Sequence, residues 1–343
     1  RDCLLSRGLG DVYKRQLFNI MRELTATGIS IVYISHRLEE LMRIGDFVTI
    51  FRDGKLVADA AVKDIDVPWI VKQMVGEGKS YPKRDVAVDW DKQENVLEVK
   101  NLSLPKNGGG YLLNNVSFNL KKGEILGIYG LLGAGRTEIF ECIMGMRPNH
   151  TGDIILNGKK IDIQSVADQI DKGFAWLPED RQREGLVQTM SIAKNIALSN
   201  IGKYTNPLGL IDKNKEDAAE AEMIKDVHIK VADKDLPILS LSGGNQQKVV
   251  FAKGALTNPQ IMLLDEPSRG IDIGAKTEIF HLIYQYAKRG VSLLVISSEL
   301  EEIIAIADRI LVLSNGIKTA ELTGDDITQD NLVKASYMGH KAN

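Results

Sequence analysis

Two cysteines in 343 residues, Cys3 and Cys142, are too few for a disulfide framework, and their scarcity fits a reducing cytosol. Charge of one sign is not in excess either. The 43 Lys and Arg residues against 46 Asp and Glu leave a net charge of −3, which argues against a basic nucleic-acid binder and against an acidic tail. Long apolar runs are missing. Stretches such as 261–264 (IMLL) and 293–296 (LLVI) are short and lie between turn signals. They fall far below the ~18–20 residues of a membrane-spanning helix and read as buried strands of a parallel sheet. Residues 1–16 have no continuous apolar centre and do not read as a secretory leader. The first residue is not Met, so a fragment or a processed product is expected. What is present is ordinary for a globular chain able to bury a core: 44% hydrophobic and 26% charged residues. The length suggests ~2 domains.

An internal repeat organises the chain. Residues 29–65 (ISIVYISHRLEELMRIGDFVTIFRDGKLVADAAVKDI) align without a gap to 291–327 (VSLLVISSELEEIIAIADRILVLSNGIKTAELTGDDI) at an offset of 262, with 12 of 37 positions identical. Eleven of the remaining 25 pairs exchange one small or apolar residue for another. Each copy predicts a strand (29–35 in the first), a helix with Leu38, Leu41, Met42 and Gly45 on one face, a strand (47–51), the turn Asp53-Gly54, and a third short strand. The second copy has a full domain before it; the first has only 28 residues. The expected organisation is therefore one complete domain over 96–343, preceded at 17–80 by the end of a sibling domain, with the polar, Pro-containing stretch 81–95 as linker. Residues 1–16 (RDCLLSRGLGDVYKRQ) do not match their counterparts 263–278 and are expected to be foreign, joined at about Leu17.

Three elements of the complete domain carry chemistry. The strand 125–129 runs into Gly130, two leucines, Gly133, Ala134, Gly135, Arg136 and Thr137. This fits a phosphate loop in which glycines turn backbone N–H groups inward and a helix N-terminus adds favourable partial charge, except that Arg136 replaces the usual Lys. Alone it is also compatible with an ordinary Gly-rich strand–helix turn. The apolar strand 261–264 ends in Asp265 and Glu266, placed to hold a divalent cation through water and to polarise an attacking water, or else simply a solvated acidic strand end. Leu241, Ser242, Gly243, Gly244, Asn245 and Gln246 open a helix expected over 246–255; a hydroxyl and glycine amides there form a second anion site, or a capped helix start. The order and spacing of all three favour the nucleotide reading.

With these motifs the domain resembles the nucleotide-binding domain of an ABC transporter ATPase. The wording GEILGIYGLLGAGRTE, LPEDRQREG (177–185), LSGGNQQKV, LLDEPSRGIDIGAK and VISSELEEI is similar to the second cassette of the double-domain ATPase subunits of bacterial monosaccharide importers. YISHRLEE, at 33–40, is similar to the end of their first cassette. The resemblance implies an α/β fold: a P-loop NTPase cassette with a mixed sheet core, an antiparallel β edge, and a helical subdomain at about 190–240. It implies ATP and Mg²⁺ as ligands. Residue by residue it makes Gly130, Gly133, Ala134, Gly135, Arg136 and Thr137 the ATP-binding loop, Thr137 and Asp265 the metal ligands, and Glu266 the general base. Leu241, Ser242, Gly243, Gly244, Asn245 and Gln246 become a signature that acts on a partner cassette. Glu179 stands at the position usually held by a metal-sensing Gln, Asp272 lies in the interface loop, and Ser298 sits where the switch His belongs; that His is present as His36 in the first repeat copy. Tyr111 is a candidate for stacking on adenine, against a loop or core role.

The departures at Arg136, Glu179 and Ser298 are expected to weaken phosphoryl transfer in the cassette's own site, since such transfer rests on positioning and electrostatic stabilisation. The resemblance further implies membrane permease subunits, a missing first cassette or second ATPase copy, and indirectly a periplasmic or extracellular sugar-binding protein as partners. It implies no nucleic acid, and a place at the cytoplasmic face of the cell membrane. Two alternatives stand beside the transport ATPase. One is a degenerate nucleotide-binding regulatory module with little hydrolysis; the other is a soluble ABC ATPase without a membrane partner. The latter usually carries long charged linkers or a coiled-coil insertion, which are not seen here.

Overall fold

The computed structural model describes residues 16–34, 38–52, 55–67, 69, 70, 73 and 88–340. The chain divides into two compact units, Arg1–Lys79 and Ser80–Asn343. Residues 1–15, His36, the Asp53-Gly54 turn and the 81–87 part of the expected linker lie outside the described residues.

In the first unit a helix over 16–26 and a helix Leu38–Ile44 accompany a two-stranded antiparallel sheet, β1 (Phe47–Arg52) and β2 (Lys55–Ala61). The strand expected over 29–35 does not form: residues 29–34 carry no ladder among the described residues. A β-propensity run becomes a strand only when its backbone groups find a partner, and here Val32 and Ile34 are left 91% and 92% exposed.

The second unit holds two sheets. β3 (Asn95–Pro105), β4 (Tyr111–Lys121), β6 (Thr151–Leu156) and β7 (Lys159–Lys160) form an antiparallel sheet in the order β4-β3-β6-β7. β3 opens at Asn95, at the edge of the stretch expected as linker. β5 (Ile125–Gly130), β8 (Phe174–Leu177), β9 (Ile261–Asp265), β10 (Ser292–Ile296), β11 (Arg309–Ser314) and β12 (Ile317–Thr323) form a six-stranded sheet in the order β12-β11-β5-β10-β9-β8. Its five inner and far strands run parallel, with β12 antiparallel at one edge. β5, β9 and β10 are buried at every residue. The alternation along β10 shows why: Leu293 and Val295 enter one core, Leu294 and Ile296 the other. Such double-faced burial requires a continuous apolar run. Between Ser191 and Leu241 the chain has helices of up to 14 residues and two isolated bridges but no strand of either sheet.

From Leu38 onward the repeat is structural to the residue. Adding 262 carries the helix Leu38–Ile44 onto Leu300–Ile306, β1 onto β11 and β2 onto β12. It also carries the bulge between Ile50 and Phe51 onto that between Val312 and Leu313.

Candidate nucleotide site

The carboxyl ends of β5, β10 and β9 lie side by side in the parallel sheet, where α/β proteins place ligands. β5 leads into the glycine loop, β10 into Ser297 and Ser298, and β9 into Asp265 and Glu266. The loop can be built only from glycine at two points. A side chain on Gly130 would come within 2.5 Å of the Leu313 carbonyl oxygen. Gly135 adopts φ 98° as N-cap of the helix Arg136–Ile143, and a Cβ there would meet Leu113 at 2.6 Å. Gly133, also at positive φ, and Ala134, whose N–H donates to the Leu131 carbonyl at 3.0 Å, complete the turn.

The functional side chains converge behind it. Thr137 Oγ1 donates to Asp265 Oδ2 at 2.8 Å, while the second oxygen, Oδ1, is buried without a hydrogen-bond partner. Burial pushes the Asp265 carboxyl up to about 7; the Thr137 hydrogen bond opposes this, and the charges of Glu179 and Glu266 add to it. An orphaned buried carboxylate oxygen beside a threonine hydroxyl fits a hard divalent cation. Among the described residues no group of three or more His, Cys, Asp or Glu could hold a metal; Asp265 and Thr137 would supply two oxygens to a cation such as Mg²⁺, whose remaining ligands are commonly water and phosphate oxygens.

Glu266 is held from three sides. Its backbone sits at φ 46°, a conformation that costs energy for a non-glycine residue, and its N–H donates to the Ile296 carbonyl at 3.0 Å. Ser298 Oγ donates to its Oε2 at 3.1 Å. The Arg136 guanidinium lies 3.4 Å from Oε1, both side chains about nine-tenths buried. Burial raises the Glu266 carboxyl above its ordinary range, against the pull of the Ser298 hydrogen bonds and the Arg136 charge. Arg136 Nη1 itself makes no hydrogen bond although it is buried. One carboxylate thus meets two of the three residues that depart from the expected pattern, Arg136 and Ser298.

The signature stretch stands apart from the loop and faces other partners. The helix begins at Gly243, three residues earlier than expected, because Ser242 is extended and both glycines are already helical. Gly244 is needed there: a Cβ on it would lie 2.4 Å from the Ala275 Cβ. Ser242 is exposed and its hydroxyl accepts from Asn245 Nδ2 at 3.2 Å; Asn245 Oδ1 accepts from Lys230 N–H, and buried Gln246 donates back to the Leu241 carbonyl. Asp272 caps the helix Ile273–Lys288 by accepting from Ala275 N–H at 3.0 Å. Glu179 pairs with Arg269. His36 lies outside the described residues. Tyr111, at the head of β4, is 58% exposed, and the adjoining Leu112 and Leu113 pack over Gly135.

Arg181 was not singled out from sequence, though it stands inside the quoted LPEDRQREG. It opens a π-helical turn, Arg181–Gly185, donates from Nη1 to the Arg269 carbonyl at 2.7 Å and from Nη2 to that of Gly270 at 3.3 Å, and lies against Gly243. It braces the interface loop to the start of the signature helix. Inside that charged run nothing in the linear pattern sets Arg181 apart from Arg183. A second unpredicted support is Glu302, buried, which accepts from Ser268 Oγ at 2.5 Å and Ser297 Oγ at 3.0 Å and pairs with Lys276. It ties the exits of β9 and β10 together.

Comparison with known proteins agrees with this geometry. Residues 113–269 match the ABC transporter family. The ribose import ATP-binding protein of Clostridium perfringens (strain 13) is 43% identical over 329 residues, 95% of this chain and 64% of the relative. The xylose import ATP-binding protein of Photobacterium profundum is 40% identical over 321 residues, 92% of this chain and 62% of the relative. The chain thus spans somewhat under two thirds of the length of these relatives. A solved nucleotide-free ATP-binding cassette from an ABC transporter superposes with a TM-score of 0.62 at 21% identity, covering 70% of this chain and 96% of its own. A cassette in its ADP conformation gives 0.61 at 21%, covering 71% and 99%. A glycine loop at the end of β5, a Thr–Asp pair beside it, a positioned glutamate and 43% identity to an import ATP-binding protein lead to one assignment: residues 113–269 are an ABC transporter domain, in a unit with the P-loop NTPase cassette fold.

Proposed function

We propose that this chain is the ATP-binding and ATP-hydrolysing part of a bacterial monosaccharide importer, in which MgATP turnover between paired cassettes drives a membrane permease. The observation that carries the reading is the convergence of Thr137, Asp265 and Glu266 behind the glycine loop, in a chain 40–43% identical to proteins named for ribose, xylose and galactose import. Residues 96–343 act as a second cassette and 17–80 as the end of a first, joined by 81–95, with 1–16 foreign to both. Thr137 and Asp265 would hold Mg²⁺, which would supply positive charge to a bound nucleotide's phosphates, and Glu266 would take a proton from an attacking water. The signature from Leu241 to Gln246 completes the site of a partner cassette, and a sugar-binding protein outside the membrane delivers cargo to the permease. No helix among the described residues is long and apolar enough to cross a membrane; the chain works at the cytoplasmic face, docked to its permease.

The Arg136–Glu266 pair supports a second reading of this cassette, as a slow or regulatory site. A base whose carboxylate already faces a guanidinium and a serine hydroxyl is poorly free to take a proton. Titration with a fluorescent ATP analogue and steady-state phosphate release decide between the two. Micromolar to submillimolar binding with turnover abolished by Glu266→Gln supports the ATPase. Binding with turnover indifferent to Glu266→Gln assigns the regulatory role, and absence of binding sinks both. In the full-length parent, Ser242→Arg removes most activity if the signature acts on a partner; a rate unaffected by it overturns that assignment.

A further inference from the structure

The two ends of the nucleotide site are equipped unequally. At the inner end Gly130 and Gly135 are fixed by crowding, and the helix Arg136–Ile143 opens on Gly135 with no side chain capping it. Amides of its first turn are thereby left to an anion. Thr137 and Asp265 stand beside them, one Asp265 oxygen without a partner. A glycine loop of this kind cradles the α- and β-phosphates with backbone groups, and its lysine reaches on to the β- and γ-phosphates. The backbone part is intact here; the lysine is replaced by Arg136.

The outer end, where the chain leaves β8, β9 and β10, is short of positive charge. Asp265 and Glu266 stand at the exit of β9 and Glu179 follows β8. Burial raises the Asp265 and Glu266 carboxyls, and the nearby charge of Glu179 adds to it. The cations named there are already committed. Arg136 lies 3.4 Å from Glu266 Oε1, Arg269 pairs with Glu179, and Lys276 pairs with Glu299 and Glu302. Ser298 offers one hydroxyl, and it donates to Glu266 Oε2 at 3.1 Å. Arg136 is not free to swing outward. Its departure would strip the charge partner from Glu266, a buried carboxylate whose backbone is pinned at φ 46° with its N–H on the Ile296 carbonyl. Leaving one member of a buried pair uncompensated is strongly unfavourable. A third phosphate set against that carboxylate adds like-charge repulsion where water screens little.

We propose that this site recognises the α- and β-phosphates and is blind to the γ-phosphate, so that it binds a nucleoside diphosphate at least as tightly as the triphosphate. The inference rests on reading the second unit as a nucleotide-binding cassette. Selectivity is a difference of affinities, and the groups that would favour the triphosphate are the ones replaced or engaged, at positions 136, 179 and 298. Glu266 sets the preference, because it occupies Arg136 and Ser298 together and repels added negative charge. ATP and ADP then compete for this cassette on equal terms, and its occupancy does not follow turnover at a partner's site.

Competition on the intact chain tests this. A fluorescent ADP analogue is bound in the presence of Mg²⁺ and displaced by ADP, by ATP, by a non-hydrolysable ATP analogue and by AMP. ADP is expected to displace it at the same concentration as either triphosphate or a lower one, and AMP only at concentrations at least tenfold higher. Glu266→Gln and Glu179→Gln each shift the ratio of ATP to ADP affinity at least threefold toward ATP. The Glu179 side chain is 41% exposed, so its substitution leaves the fold standing; urea midpoints without nucleotide verify both variants. The inference is overturned if either triphosphate displaces the analogue threefold or more better than ADP, or if both variants move ADP and ATP alike. Failure of the analogue to bind at all sinks the nucleotide reading and this inference with it. Binding with a clear preference for the triphosphates sinks this inference alone and leaves that reading standing.

Discussion

The chemistry of the site turns on Arg136. A lysine in its place would be a compact charge reaching the phosphates; arginine is planar, bulkier and already engaged with Glu266. Because the loop's backbone donors do not depend on residue 136, MgATP binding is expected of the parent, and Arg136→Lys should tighten it by about three- to tenfold. Titration of a fluorescent analogue against both variants measures this; weaker binding by the lysine variant would mean that arginine is adapted to the site. Asp265 makes a second residue-level prediction. Its carboxyl is raised from 3.8 to about 7 by burial, so the nucleotide-free fold binds a proton that the unfolded chain has lost. Its contribution is most favourable below about pH 4 and disappears as pH rises through about 7. Asp265→Asn keeps a neutral group of the same shape at every pH. The variant should be more stable than the parent at pH 8 by on the order of 2 kcal/mol, with the gap closing toward pH 5. Urea unfolding without nucleotide at the two pH values checks it, and a gap independent of pH would show that Asp265 is charged in the nucleotide-free fold.

At the scale of elements, the contact between the helices Gly243–Ala255 and Ile273–Lys288 sets where the signature stands. Gly244 meets Ala275 with no room for a methyl group. Gly244→Ala should destabilise the second unit by roughly 1–3 kcal/mol through overpacking, and adding Ala275→Gly should restore about half, the rest going to the glycine cost within a helix. Denaturant midpoints of the parent, the two single variants and the double variant give the coupling directly. Additive effects would place the crowding elsewhere. These elements also show what the sequence made legible. β5, β9 and β10 announced themselves as apolar runs ending in chemistry, because strands buried on both faces cannot hide their composition. The glycine loop was readable because its backbone demands are met by few residue types. What escaped was lateral. Nothing in the linear pattern tells Arg136 to fold onto Glu266, or Arg181 onto the carbonyls of Arg269 and Gly270, since these pairs join residues 130, 88 and 89 apart whose neighbours fix them only in three dimensions. The one element wrongly expected, the strand over 29–35, failed for the same reason: its propensity was right and its partners were not there.

For the whole molecule, the two units bury their repeat copies very differently. In the second, the strand β10 is enclosed by β5 and β9, and its residues 293–296 are fully buried. In the first, Ile29, Val32 and Ile34 are exposed, as are Phe47 and Phe51 on β1, and among its described residues the buried apolar set is Phe18, Leu38, Val48, Ile50 and Ile70. A unit of this size recovers little apolar area against the entropy of ordering its backbone, and a two-stranded ribbon is marginal without a third strand or a covering layer. Local opening in the first unit should therefore need far less free energy than in the second. Native-state hydrogen exchange at neutral pH should find the amides of β1 and β2 exchanging at least a hundredfold faster than those of β5, β9 and β10, with a gap that narrows as denaturant brings the second unit to global unfolding. Nucleotide should deepen protection around β5 and β9 and leave β1 and β2 as they were. Equal protection in the two units would show that the exposed apolar residues of the first are covered in solution, and the account of an incomplete sheet would have to be given up.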